Sequence, residues 1–201
     1  MAPYFETVKS FADVPVTSDG VDTLQFLEAA DGLVTLFDLL GSSVFAFVQH
    51  DMQGNISGLR ERHGQHPPRS NTLQALVESE KSDGHGYACG CLVRLVRALT
   101  FTHIALEHTL ANPSTPLHLS FRHAYDEVLK KHHGWGVRGV IYIALRSTPT
   151  RPVFLARLSQ APPDQGPPAH FEPALERWLE GLGKVVQGVR AWLEDGGWGR
   201  I

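Results

Sequence analysis

Apolar residues recur at intervals of three and four along most of the chain, and that spacing predicts helices. Over residues 22–40, Phe26, Ala30, Leu33, Phe37 and Leu40 share a face, Asp22 and Gln25 resemble a capping pair, and Gly41 closes the element. A second helical pattern covers 43–62, and the polar stretch 62–70, with Pro67 and Pro68, reads as a loop. A short helix is expected at 72–81. Residues 87–110 follow as a long helix with Leu92, Leu95, Leu99, Leu106 and Leu110 on one stripe and Phe101, Ile104 and Ala105 on the opposite side. Apolar on both sides, it belongs at the centre of the fold. Asn112 and Pro113 stop it, and helical patterns resume at 117–131, 137–145 and 153–158. The segment 159–169 holds four prolines and a glycine and is expected to be a loop. The last helix, 172–194, aligns Leu175, Trp178, Leu179, Leu182, Val186, Val189 and Leu193, with Gly181, Gly183 and Gly188 at some cost in helix propensity. Nothing alternates with period two for long enough to suggest a sheet, so the pattern predicts seven or eight helices in an all-α fold.

Composition narrows the class. With 201 residues, 42% of them hydrophobic, the chain can bury a real core as one domain, residues 1–201. Eighteen Lys plus Arg against 21 Asp plus Glu give a net charge of −3, which offers no global basic field for nucleic acid or an anionic membrane. Cys89 and Cys91 are too few and too close for a disulfide framework, so a reducing, cytoplasmic setting is expected. The N-terminus lacks a basic region followed by an apolar run, and the apolar stretch 32–48 is broken by Asp38, Gly41, Ser42 and Ser43. No signal peptide and no membrane span are expected, and the sequon at Asn55 is expected to stay unmodified.

Most chemical motifs are missing. Eleven histidines include no His-Glu-x-x-His pair, so no metal is expected. The segment 84–90 has no strand before it and no Gly-Lys-Ser/Thr after it, and reads as the first turn of a helix rather than a phosphate loop. No Gly-x-Ser-x-Gly occurs, and no cofactor site is expected.

Two pairs of residues stand out. Asp51 and Asn55 lie four apart, about 40° from each other on a helix, where they form either a solvated face or a joint contact to one polar ligand. Arg94 and Arg97 interrupt an otherwise apolar helix. A guanidinium in a buried helix needs an anionic partner or a water-lined pocket, and the candidate anions are a carboxylate such as Asp51 or the phosphate of a ligand.

A wider pattern carries a resemblance. Phe11-Ala12-Asp13-Val14-Pro15-Val16, Phe26-Leu27-Glu28-Ala29-Ala30, Phe37-Asp38-Leu39-Leu40-Gly41-Ser42, Asp51-x-x-Gly54-Asn55-Ile56, Leu95-Val96-Arg97-Ala98-Leu99-x-Phe101 and Ala124-Tyr125-x-x-x-Leu129-Lys130-x-x-His133-Gly134-Trp135 occur in order over nearly the whole chain. As a set they resemble the glycolipid transfer protein family, most of all its fungal heterokaryon-incompatibility members. The resemblance implies a two-layer helical sandwich of about eight helices that takes up one sphingolipid, glycosylceramide or ceramide 1-phosphate, and moves it between membranes without chemistry. It also implies that Asp51, Asn55, Arg94, Arg97 and His133 meet the headgroup and ceramide amide, and that Trp135 makes a transient contact with the membrane surface. A buried, core-packed Trp135 is the other reading.

Two departures bear on the cargo. Arg94 stands where the glycolipid-selective pattern has a tryptophan that stacks on the first sugar, and Gly58 stands where it has a lysine. Relatives selective for ceramide 1-phosphate are similar at Arg94, but carry a lysine at the position of Asn55 and a second arginine at that of Gly90. The chain is a hybrid of the two patterns, with Asp51, Gly54 and Asn55 keeping the glycolipid form; because Gly58 and Arg94 weaken the sugar site, the other reading is a lipid sensor or partner-binding module with little transfer.

Overall fold

The structure, a computed structural model, describes residues 2–41, 45–161 and 167–201. Among these residues are nine α-helices: α1 (Tyr4–Thr7), α2 (Thr23–Leu39), α3 (Ala46–Gln65), α4 (Leu73–Ser82), α5 (Tyr87–Ala111), α6 (Leu117–Ala124), α7 (Trp135–Arg146), α8 (Arg151–Ser159) and α9 (Phe171–Asp195). The expected all-helical class is what forms. The expected helix start at residue 43 and the middle of the expected loop 159–169 lie outside the described residues.

α5 is the hub, packed against α3, α4, α6 and α9. Leu92, Leu95, Val96 and Leu99 are fully shielded from water. Each such aliphatic side chain contributes roughly 1.5–3 kcal/mol relative to exposure. By length and composition α5 is apolar enough to cross a bilayer, but 72% of its most apolar window is buried inside the protein, which marks it as a core helix. Its start is set by α4: the buried Glu80 carboxylate accepts from the backbone N–H groups of Ala88 and Cys89, each at 2.8 Å. A carboxylate there satisfies two free donors and meets the positive end of the helix dipole.

The N-terminal segment and α9 close one end of the molecule with aromatic rings. Trp178 lies 5.1 Å from Phe5 and 5.7 Å from Phe11 between ring centroids, and Phe5 also touches Phe171. The approach is close because Gly181 has no side chain: a Cβ there would collide with the backbone of Ala12. The glycine that lowers the propensity of α9 therefore permits its tightest contact.

Several expectations need correction. The helix α1 was not foreseen because a single turn is too short to display a period, although Tyr4 and Phe5 are both buried. A two-residue hairpin, β1 (Val16–Thr17) with β2 (Gly20–Val21), is likewise too short for alternation to be visible. The cap at Asp22 is half of a box: its carboxylate accepts from the Gln25 backbone N–H at 2.8 Å, while the Gln25 side chain accepts from Lys9 instead. The polar stretch 62–70 is not all loop. α3 runs on to Gln65 because Arg62 is buried in an ion pair with Asp83 at 2.6 Å and hydrogen bonds to Ser79. The helix expected at 117–131 is α6 followed by a widened π turn, Tyr125–Leu129, and a 3-10 turn, Lys130–His132.

Candidate lipid headgroup site

α3 lies against α5, and the pairing brings the two predicted residue pairs together. The Asn55 side chain, 4% exposed, donates to the backbone oxygen of Asp51 at 2.8 Å and to its carboxylate at 3.2 Å. Its own carbonyl oxygen accepts from Arg94 Nε at 2.8 Å. Asn55 is thus the link that holds Asp51 and Arg94 in register, and its amide is occupied within the protein.

The expectation of guanidiniums buried within an apolar helix is corrected. Arg94 is exposed and Arg97 half-buried, because only the positions around them turn into the core. Neither pairs directly with Asp51. Arg94 also donates to Cys91 Sγ at 3.4 Å, and Arg97 donates from Nε and Nη2 to the backbone oxygen of Arg200 at 3.0 and 2.6 Å. Burial, and then the neighbouring Arg94 charge, lower the Arg97 pKa from its ordinary value.

His133 arrives on the widened turn that follows α6. Its backbone is extended, and its oxygen accepts from Arg138 Nε at 2.7 Å. Burial lowers its pKa below the ordinary histidine value, the Asp51 charge opposes that shift, and Arg138 and Arg97 reinforce it. The ring is therefore neutral at pH 7, with one donor and one acceptor nitrogen. Tyr125 Oη lies 3.3 Å from Nδ1, with the two rings nearly parallel. Burial raises the Tyr125 pKa, so the phenol keeps its proton. When it donates to Nδ1, the imidazole proton sits on Nε2.

Asp51, Arg94, Arg97 and His133 converge on one cavity of about 390 Å³, whose other side is formed by Phe47, Val48, Met52, Val137 and Ile141. Asn55 stands behind its wall rather than in it. This is a mouth with a polar edge and an apolar side. A larger and more open groove of about 750 Å³ between α5 and α9 contains none of these residues, and its charged groups are glutamates. Convergent donors and acceptors of both signs, not volume, single out the smaller cavity.

Trp135 opens α7 and is 91% exposed. Val137, Val140 and Ile143 are exposed on the same helix, which buries only Ile141, Ala144 and Leu145. The core-packed reading of Trp135 does not hold: among the described residues no element covers that side of α7.

Sequence reasoning missed the roles of Tyr125 and Arg138, which orient His133, and of Arg200, which occupies Arg97. Tyr125 belonged to a recognised motif and only its use was unread, whereas a backbone oxygen leaves no mark in a sequence. Gly58 has a further consequence: a Cβ there would stand 2.7 Å from Cys91 Sγ and 3.0 Å from the Tyr87 ring, so α3 and α5 meet closely at the position where the glycolipid-selective pattern has a lysine.

The sequence profile of the family described as Glycolipid transfer protein (GLTP) matches residues 21–160. A glycolipid transfer protein of Aureobasidium melanogenum is 43% identical over 185 residues, covering 92% of this chain and 89% of that protein. The crystal structure of HET-C2, a fungal glycolipid transfer protein, superposes with a TM-score of 0.87 at 35% identity, covering 95% of this chain and 96% of the other. The human ceramide-1-phosphate transfer protein in complex with 12:0 ceramide-1-phosphate superposes with a TM-score of 0.85 at 22% identity over 98% of both chains. At that identity the likeness is one of fold.

Proposed function

The chain belongs to the glycolipid transfer protein family, and we propose that it is a non-enzymatic carrier that takes one sphingolipid, of the glycosylceramide type, from one membrane and delivers it to another. The whole chain acts as one carrier domain, working from the cytoplasmic side. The observation that carries this reading is the single cavity in which Asp51, Arg94, Arg97 and His133 face an apolar wall. A sphingolipid has that same division between a hydrogen-bonding head and a hydrocarbon body.

The headgroup decides which lipid is held. Each methylene moved from water into an apolar pocket gains roughly 0.8 kcal/mol, but the donor bilayer is as dry as the pocket, so the gain largely cancels. Selectivity then comes from the polar edge. Asp51 accepts from sugar hydroxyls and from the ceramide amide N–H, and neutral His133 donates from Nε2 to the amide oxygen. Asn55 positions Asp51 and Arg94 rather than touching the lipid, and Arg94 offers a guanidinium plane to the first sugar. A cavity near the small end of the usual 300–1,000 Å³ range accommodates a headgroup and amide. The two hydrocarbon chains therefore enter by parting the apolar wall between α3 and α7.

α7 is the membrane-facing element in this reading. An almost fully exposed Trp135, with Val137, Val140 and Ile143 beside it, has the amphipathic character that places a helix at the lipid–water interface.

A second reading, a ceramide 1-phosphate carrier, is favoured by one observation. Arg94 and Arg97 both line the cavity, and burial together with the Arg94 charge lowers the Arg97 pKa, a cost that a phosphate would relieve. Vesicle-to-vesicle transfer of labelled glucosylceramide, galactosylceramide and ceramide 1-phosphate separates the two. Glycosylceramide transfer by the wild type should fall at least roughly tenfold, the factor for one lost hydrogen bond, in Asp51→Val and in His133→Ala. Unchanged transfer in both variants removes the headgroup assignment. Faster ceramide 1-phosphate transfer, converted to glycosylceramide transfer by Arg94→Trp, establishes the phosphate reading instead.

A further inference from the structure

Two surfaces of the molecule lack partners in complementary ways. The groove between α5 and α9, of about 750 Å³, has a floor that includes Ile104, Leu110 and Leu179 and a rim of Glu107, Glu176 and Glu180. Among the described residues Glu176 and Glu180 make no ion pair, and Glu107 meets only His103, at 3.4 Å. Burial lowers the pKa of that imidazole, so it brings no charge at pH 7. Arg177 of α9 is taken by Asp13, and Lys184, one turn beyond Glu180, forms no ion pair with it. Glu172, Glu176 and Glu180 follow one another at intervals of four, a spacing at which like charges destabilise a helix.

α7 is the reverse. Trp135, Val137, Val140 and Ile143 are exposed, the last three at intervals of three, and the helix carries Arg138 and Arg146 but no carboxylate. Among the described residues Arg146 makes no ion pair. Arg138 and Arg146 are eight residues apart, as are Glu172 and Glu180, which is about 12 Å along either helix. We propose that α7 of one molecule docks in the α5–α9 groove of a second copy, so that the protein self-associates head to tail when no membrane is present.

Charge selects this pairing. An apolar helix face in water calls for cover, and an amphipathic helix laid in an apolar groove is a common way to supply it. In the groove the two arginines meet a row of carboxylates. Two α7 helices set face to face would instead bring four guanidiniums together, with no carboxylate of their own between them. Head and groove are different surfaces, so the contact does not close on itself: each docked molecule still offers one groove or one α7 to a further copy. Three turns of helix cover less than the roughly 1,200 Å² of a stable interface, which makes the association reversible and concentration-dependent. Docking also uses the face of α7 assigned above to the membrane, so adsorption and self-association exclude each other; this last step alone rests on the carrier reading.

Sedimentation velocity on two variants and their mixture tests the proposal. Trp135→Ala removes the anchor of the head and keeps the groove, whereas Glu176→Lys with Glu180→Lys reverses the rim and keeps α7. Each should sediment as a monomer where the wild type forms dimers and longer species, with an association constant at least roughly tenfold lower. All three positions are exposed, so circular dichroism and thermal melting should match the wild type. Mixed in equal amounts, the two variants should form a dimer and nothing longer, because one supplies only a groove and the other only a head. A mixture that stays monomeric overturns the proposal, and so does a wild type that is still monomeric at about 1 mM. A monomeric wild type that binds a synthetic leucine–lysine helix would give the groove to another protein and overturn it equally. Phosphatidylcholine vesicles should dissolve the wild-type assemblies as the protein adsorbs. Adsorption with the assemblies intact would exclude α7 as the head and leave the carrier reading standing.

Discussion

The two ends of the molecule are built on opposite principles. Where the N-terminal segment meets α9, Phe5, Phe11, Phe26, Phe171 and Trp178 are almost wholly shielded from water, and Gly181 lets backbone touch backbone. Where α7 meets α3, Trp135, Val137, Val140 and Ile143 stay in solvent, and the cavity beneath them is only partly closed. A carrier of amphipathic cargo needs both. Under the proposed function the interlocked end holds the helices in one arrangement, and the loose end is the one that would exchange its contacts with water for contacts with lipid. Stability and function should therefore respond to substitutions at different ends.

The largest effect is expected at the closed end. Trp178→Ala removes the ring that touches both Phe5 and Phe11, and a large aromatic lost from a well-packed core costs about 3–5 kcal/mol. For a chain of this size that lowers the melting temperature by on the order of 10 °C. Below its new transition the variant should transfer lipid at close to the wild-type rate. A folded Trp178→Ala protein that transfers nothing would join the two ends energetically and dissolve the division between them.

The closed end was also the more legible in the sequence. α2, α5 and α9 declare themselves through long amphipathic repeats, and Trp178 already falls on the apolar stripe of α9. The open end depends on features that have no period. The π turn at Tyr125–Leu129 contains neither glycine nor proline, so 117–131 reads as one helix, although the π turn and the 3-10 turn after it are the segments that lead to His133 at the cavity. Asp51 and Asn55 could be paired by spacing alone. That Asn55 would be consumed in linking Asp51 to Arg94 required the register of α3 on α5, and the capture of Arg97 by Arg200 involves residues 103 positions apart. Exposure of Trp135 was equally unreadable, since an apolar residue at a helix start suits a core or an interface, and only its surroundings among the described residues decide.

A smaller effect, and the reverse of the first, is expected at Trp135. With the ring in water, Trp135→Ala removes no packed contact, and stability should stay within about 0.5 kcal/mol of the wild type. Adsorption to phosphatidylcholine vesicles, followed by co-sedimentation, should fall several-fold, and the transfer rate with it. Normal adsorption by Trp135→Ala would place the membrane contact elsewhere and leave the open face of α7 without its assigned role.

The smallest effect is a dependence on pH that each end carries through a different histidine. Burial lowers the pKa of His103, which packs on Gly183 beside α9 and is opposed by Glu107, and of His132 and His133 at the mouth. In each case the unfolded chain, with an ordinary value near 6.5, binds protons more readily than the folded one. Stability is therefore greatest above pH 6.5 and declines as pH falls from there through the depressed native values. The depressed carboxylates Asp13, Asp83, Asp126 and Glu194 titrate lower, so melting curves between pH 7.5 and 5 isolate the histidines. His103→Gln and His133→Gln should each flatten the decline. Saturating the protein with glucosylceramide then tells the ends apart, because a lipid seated at the mouth buries His133 further and leaves His103 where it was. The decline should steepen on loading in the wild type and in His103→Gln, and much less in His133→Gln. An equal response in all three would mean that the lipid lies away from His133, and that the open end is not where the cargo is held.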